Sequence, residues 1–236
     1  PKTESTVDVE MLEYFVRQDL MEKATCVMAV LDPIKVVITN KDDEVEYLEA
    51  DNNYKTDALG KRMVPFTKEI YIDREDFMEN PPKGYNRLIP GGEVRLKHAY
   101  IIKCNEVIKD ANGNVVELHC TYDPATKSGS GNSSRKVKGT IHWVSATIGL
   151  KCTTRLYEPL FLNPPDEDTL LQSINPNSRR DITNAVIEPA IVDFLAQGVT
   201  HYQFLRNGFY VIDNKLGSKE NLVFNRIVPL KSSFSL

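Results

Sequence analysis

Tyr100-Ile101-Ile102-Lys103-Cys104-Asn105-Glu106-Val107-Ile108-Lys109 and Val115-Val116-Glu117-Leu118-His119-Cys120-Thr121-Tyr122 are two runs rich in β-branched and aromatic residues, joined by Asp110-Ala111-Asn112-Gly113-Asn114. Asn-Gly between such runs is a strong hairpin signal, because both residues tolerate a positive φ. The second arm also alternates. Val116, Leu118, Cys120 and Tyr122 fall on one face, and Glu117, His119 and Thr121 on the other. An antiparallel, half-buried sheet is the reading that fits.

The same pattern extends in both directions. Upstream, Val27 to Leu31 and Ile34 to Thr39 are apolar runs interrupted by Asp32-Pro33, and Ile70-Tyr71-Ile72 is a further short run. Asp73 to Phe77 reads as one helical turn with Asp73 as N-cap. Lys41 to Asp57 is acidic and polar and reads as a long loop. Residues 127–134, Lys-Ser-Gly-Ser-Gly-Asn-Ser-Ser, read as a flexible connector. Val137 to Ala146, with Trp143, reads as a strand followed by Leu150 to Tyr157. Glu188-Pro189 opens a helix that Gly198 can close. Phe209 to Ile212 and Leu222 to Leu230 form a last hairpin. At the N-terminus Val9, Leu12, Val16 and Leu20 repeat at helical spacing beside Phe15. Asp8 and Glu10 lie in that helix's first turn, and Ser5 or Thr6 is placed to cap it.

Many short strands, frequent turns and few helices make the chain mainly β, a barrel or sandwich architecture. Its 236 residues suit two small barrels behind a short N-terminal helical segment. No apolar run is long enough to cross a membrane, and residues 1–10 lack the pattern of a signal peptide. The four cysteines, Cys26, Cys104, Cys120 and Cys152, sit singly among apolar residues and read as buried hydrophobes in a reducing, cytosolic compartment. The Asn132-Ser133-Ser134 sequon has no use in that compartment.

No catalytic constellation emerges. Gly-rich phosphate loops, a Gly-x-Ser-x-Gly elbow and a His-Glu-x-x-His motif are all missing. His98, His119, His142 and His201 are scattered, so the expectation is no catalytic, cofactor or metal site. The basic residues carry more information. The whole chain has net charge −4, which excludes a general polycationic coat. Yet Lys83, Arg87, Arg95, Lys97, Lys103 and Lys109 face only Glu93 and Glu106 between residues 83 and 109. Arg95 and Lys97 alternate with Val94 and Leu96 and project from one strand face. Tyr202-Gln203-Phe204-Leu205-Arg206 sets polar forks beside aromatic rings, a combination suited to unstacked RNA bases. A β module that binds structured RNA and a β-rich protein-interaction domain both remain open from these residues alone.

Longer stretches carry a resemblance. Met28-Ala29-Val30-Leu31-Asp32-Pro33-Ile34-Lys35-Val36-Val37-Ile38, Val64-Pro65-Phe66, Ile70 to Phe77, Arg87-Leu88 and Glu93-Val94-Arg95-Leu96 resemble the anticodon-binding region of glutaminyl-tRNA synthetases. Lys136-Val137-Lys138-Gly139-Thr140-Ile141-His142-Trp143-Val144-Ser145-Ala146 does so with most specificity. Arg155 to Phe161, Gln203 to Phe209 and Val223 to Val228 complete a match running in order from about Glu10 to Leu230. The related glutamyl-tRNA synthetases share the architecture and remain the alternative, with less similar Ile141-His142-Trp143 and Phe224-Asn225-Arg226 segments.

The resemblance implies a division into the end of a helical subdomain (1–24), a first barrel region (25–157) and a second (158–236), with strands crossing between barrels. It implies an N-terminal catalytic domain as a partner within the same chain. That domain would attach glutamine to its tRNA with ATP and Mg²⁺, in the cytoplasm, and this segment alone would not. The implied partner is the anticodon loop of glutamine tRNA. By position, Arg87 matches the reader of the third anticodon base, with Asn86 beside it. Arg95 and Lys97 match basic residues around the first base, although lysine lacks the bidentate fork of the family's usual arginine. Gln203 and Arg206 match the middle-base pocket, and Lys231 and Ser233 match positions that contact the loop. Cys26 stands where the family commonly has an arginine at the middle and third bases. Either a neighbour such as Lys23 substitutes there, or the middle base is gripped less firmly.

Overall fold

The computed structural model describes residues 8–162 and 169–231. Helix α1 (Val9–Lys23) is capped by Asp8, whose carboxylate accepts from the Glu10 N–H at 2.9 Å. Asp8 is thus the cap rather than a first-turn acid, and Ser5 and Thr6 lie outside the described residues. Only the C-terminal half of the apolar stripe packs: Leu20 is buried, with Val16 and Met21 against it, while Val9, Leu12 and Phe15 are exposed.

Strands then follow in quick succession: β1 (Thr25–Val27), β2 (Ala29–Val30), β3 (Pro33–Ile38), β4 (Glu46–Asp51), β5 (Lys61–Phe66) and β6 (Glu69–Asp73). After a long loop come β7 (Glu93–Leu96), β8 (Ile101–Lys109), β9 (Val115–Asp123), β10 (Thr140–Ile141), β11 (Val144–Ser145) and β12 (Leu150–Tyr157). The last third holds β13 (Arg179–Ile187), α2 (Ile191–Ala196), β14 (His201–Phe204), β15 (Gly208–Ile212) and β16 (Val223–Pro229).

These strands make two seven-stranded sheets and one hairpin. The first sheet has the order β10-β7-β8-β9-β3-β6-β11, the second β1-β14-β15-β16-β12-β13-β2, and β4 pairs with β5 alone. In each large sheet the two outermost strands are consecutive in the chain, β10 with β11 and β1 with β2, so the edges are drawn together and partly removed. The expectation of a mainly β fold with two barrels behind a helix takes the form of one nearly closed barrel and one half-barrel. The chain crosses between sheets: β1 and β2 belong to the second, β3 through β11 (apart from the β4–β5 hairpin) to the first, and β12 onward to the second again.

Several local readings change. Within 41–57 the chain is not all loop, because Glu46–Asp51 pairs antiparallel with Lys61–Phe66. Leu48 and Ala50 point into the core between exposed acids, a short alternation masked by acidic composition. Val137 to Ala146 is not one strand but two two-residue strands, β10 and β11, either side of His142-Trp143. Asp73 precedes a helical turn without capping it. Its carboxylate instead accepts from the Leu31 and Asp32 N–H groups at 2.8 and 2.9 Å. The decisive hairpin forms as read, with a positive φ at Gly113 alone, and Asp110 accepts from the Asn112 and Asn114 N–H groups.

The larger core lies inside the first sheet around Trp143, Phe66, Ile70 and Leu118. A second, around Phe204, Tyr210, Phe224 and Ile187, fills the other sheet. All four cysteines are free and buried.

Candidate nucleic-acid interface

Five of the eight expected site residues fall around two cavities on the first sheet's β7–β10 side. The first cavity, of about 500 Å³, is bounded by Lys97, Thr140 and His142 of the first sheet and Gln203, Leu205 and Arg206 of the second, with Met21, Tyr54 and Leu230 adding apolar wall. That size falls within the usual range for small-ligand pockets.

Each polar group here is held from behind. Lys97 follows β7; its N–H donates to the Ile141 carbonyl at 2.8 Å, and Trp143 Nε1 donates to its carbonyl at 2.9 Å. The Trp143 ring is core, and its one polar atom sets the position of Lys97. Gln203 pairs with Cys26 across the parallel β1–β14 ladder, and its Oε1 accepts from the Cys26 thiol at 3.4 Å. Burial pushes the Cys26 thiol pKa up, which keeps that proton in place. Cys26 is 2% exposed and its side chain is a neutral thiol, which brings no cation to the cavity.

Arg206 sits at the tip of the β14–β15 hairpin in the left-handed region, with φ 69°. A non-glycine residue there is under strain and points to a constrained site. Its guanidinium donates to both carboxylate oxygens of Asp76, one of them at 2.7 Å, and to His142 Nδ1 at 3.2 Å. An arginine only donates, so Nδ1 accepts, and Nε2 lies 2.9 Å from Asp73 Oδ2. Burial works against the Arg206 charge, but the Asp76 contacts outweigh it and hold the pKa above its ordinary value. Asp76 is completely buried and also receives Arg87 Nε at 3.1 Å. One carboxylate therefore ties together the two arginines matched to the third and middle bases.

The second cavity, of about 440 Å³, is bounded by Tyr85, Asn86, Arg87, Gly91 and Gly92 and by Lys103, Lys136 and Lys138. Arg87 also contacts the Glu75 carboxylate at 3.4 Å and its carbonyl at 3.2 Å. Burial, with the nearby Asp76 charge, raises the Tyr85 hydroxyl to about 12. Its Oη donates to the Glu75 carbonyl at 3.0 Å. Asn86 is exposed, and its carbonyl rests against Gly139, where a Cβ would lie 1.9 Å from the oxygen.

Arg95 takes a different role from its strand neighbour. Its guanidinium donates to the carbonyls of Thr126, Ser133 and Arg135 at 2.9, 3.0 and 3.2 Å. The segment read as a flexible connector is thereby laced to β7. Lys231 is exposed beside Leu230, and Ser233 lies outside the described residues. Of the matched residues, Lys97, Gln203 and Arg206 share the first cavity and Asn86 and Arg87 the second, while Arg95 braces the loop between β9 and β10. Asp76, Asp73 and His142 are the groups sequence reasoning missed. In sequence the first two are simply two of the three acids in the Asp73-Arg74-Glu75-Asp76 turn, and nothing there marks them as buried.

These cavities sit in a mainly β fold of one nearly closed barrel and one half-barrel. Two family models of the anticodon-binding domain of class I tRNA synthetases for glutamate and glutamine match residues 24–123 and 140–213, and the chain belongs to this family. Within it, the chain is similar along its whole length to glutamine–tRNA ligases and corresponds to their anticodon-binding region. It is 56% identical to that of Clostridium perfringens over 100% of this chain, 54% identical to that of Clostridioides difficile over 99%, and 46% identical to that of Pseudomonas putida over 99%. The chain spans only 43%, 42% and 41% of the length of these relatives.

Proposed function

We propose that the chain recognises the anticodon loop of glutamine tRNA, taking separate unstacked bases into separate cavities. The observation that carries this reading is the cavity between the two sheets, where the Gln203 amide, the Lys97 ammonium and the Arg206 guanidinium meet an apolar wall. That mixture suits a base whose faces are apolar and whose edges hydrogen-bond. In this assignment Gln203 and Arg206 serve the middle base, Arg87 and Asn86 the third, and Lys97 the first. Arg95 acts by holding the neighbouring protein loop, and Lys231 and Ser233 contact the anticodon loop. We assign the attachment of glutamine, with its ATP and Mg²⁺, to a longer cytoplasmic protein resembling the relatives, and to no residue of this chain.

The test is binding to anticodon stem-loops that differ only at the middle base. The uridine-containing loop should bind tightest, and Gln203→Ala should weaken that binding by ~1–3 kcal/mol, the size of one base contact. Equal affinity for all four loops, or wild-type affinity in the folded variant, overturns the assignment.

A further inference from the structure

The charges around the second cavity do not balance, and the imbalance has a clear origin. Glu93 lies opposite Lys103 in the β7–β8 ladder, where it would be that lysine's natural partner. Its carboxylate is instead taken by Arg135 Nη2, at 2.7 and 3.0 Å. Arg87 is neutralised by Glu75 and Asp76. Lys103, Lys136 and Lys138 are left exposed on the same cavity wall, with no carboxylate paired to them among the described residues.

The cavity is built rather than incidental. The Gly91 N–H donates to the Cys104 carbonyl at 2.8 Å and the Cys104 N–H to the Gly92 carbonyl at 3.0 Å, which fixes the turn beneath Lys103. Gly139 lets the Asn86 carbonyl close on the strand that follows Lys138. Arg95 grips the carbonyls of Ser133 and Arg135 immediately before Lys136. Three ammonium groups are thus presented from two braced segments, beside the Tyr85 ring. Lysines are compact point charges that suit phosphate without reading base edges.

We propose that Lys103, Lys136 and Lys138 form a phosphate-binding cleft that holds the sugar–phosphate backbone of a single-stranded RNA segment next to the Arg87 loop. This rests on the anticodon-loop reading above and adds residues to it that act on the backbone and not on the bases. Phosphate contacts release counterions, so each lysine engaged contributes about 0.7 to the slope of log affinity against log salt for a single strand.

The test compares the parent protein, a K103Q/K136Q/K138Q variant and a charge-retaining K103R/K136R/K138R variant. Each is titrated over a range of salt with a glutamine-anticodon stem-loop and with the same loop altered at its middle base. The glutamine variant should bind both loops more weakly by a similar factor, with a salt slope shallower by about two units. The preference between loops should be unchanged, and the arginine variant should restore the parent slope. An unchanged slope in the glutamine variant, while the parent binds, overturns the cleft and leaves the anticodon reading standing. A loss confined to the unaltered loop also overturns it, because the lysines would then read bases. A parent protein that binds neither loop overturns the anticodon reading, and the cleft with it.

Discussion

Asp76 shows how one buried carboxylate can organise the basic residues around it. It is fully buried and accepts hydrogen bonds from Arg206 and a charged contact from Arg87, both of which are about one-third exposed. Removing one partner of a buried ion pair leaves the other charge uncompensated, which is costlier than the pair's own net worth. Asp76→Asn keeps the volume but removes that charge. We expect it to lower stability by about 3 kcal/mol, the low end of the range for buried pairs because the arginines keep some water. Urea denaturation measures this directly, and an unchanged midpoint would show that the arginines, not the carboxylate, set the local structure. Stem-loop binding should fall as well, since Arg206 occupies a positive-φ turn and its guanidinium is aimed by Asp76.

At the scale of elements, the loop–strand contact at Gly139 is the tightest backbone approach in the site. A Cβ there would stand 1.9 Å from the Asn86 carbonyl oxygen, which cannot swing away as a flexible side chain would. Gly139→Ala should therefore push residues 82–89 off the β10 segment, at an overpacking cost of roughly 1–3 kcal/mol. Hydrogen exchange should speed up across that loop; unchanged protection would refute the contact. A second element-level expectation concerns the turn after β15. The Asn225 side chain and the Leu216 and Lys215 N–H groups hydrogen-bond the Asp213 carboxylate and lower its pKa to about 2. A depressed folded-state value means that this contribution is present above the unfolded value, about 3.9, and lost as pH falls through about 2. Asn225→Ala should move the Asp213 titration, followed by NMR, upward; an unmoved titration would exclude the side-chain bond as its cause. Such features were not legible beforehand. The Asn-Gly hairpin and the helix before Gly198 depend on neighbours in sequence and were read directly. The β4 strand was hidden by its acidic outer face, and the Arg95 clamp depends on carbonyls up to 40 residues away.

For the whole molecule, the legible part was the strand-rich architecture and the order of the basic residues. The crossing of strands between sheets rested on the family resemblance, and the pairings that close the sheets on a tertiary register no local pattern carries. The crossing has a mechanical consequence. The run from Thr25 to Ile38 supplies strands to both sheets with only Leu31 and Asp32 between them. Arg62, on the hairpin packed against the first core, is ion-paired to buried Glu188, which follows β13 of the second sheet, with a second contact at 3.2 Å. Neither sheet can therefore open without disturbing the other's strands and leaving a buried charge alone. Trp143, the sole tryptophan, lies in the first core and reports on that sheet, whereas far-ultraviolet circular dichroism reports on both. Thermal unfolding should give one transition, coincident in fluorescence and circular dichroism, as expected of a single cooperative unit. Glu188→Gln should lower both midpoints together, by the equivalent of about 3–5 kcal/mol for a broken buried pair. A Trp143 transition that stays in place while the circular-dichroism midpoint falls would mean that the two sheets unfold independently and that the pair stabilises only its own side.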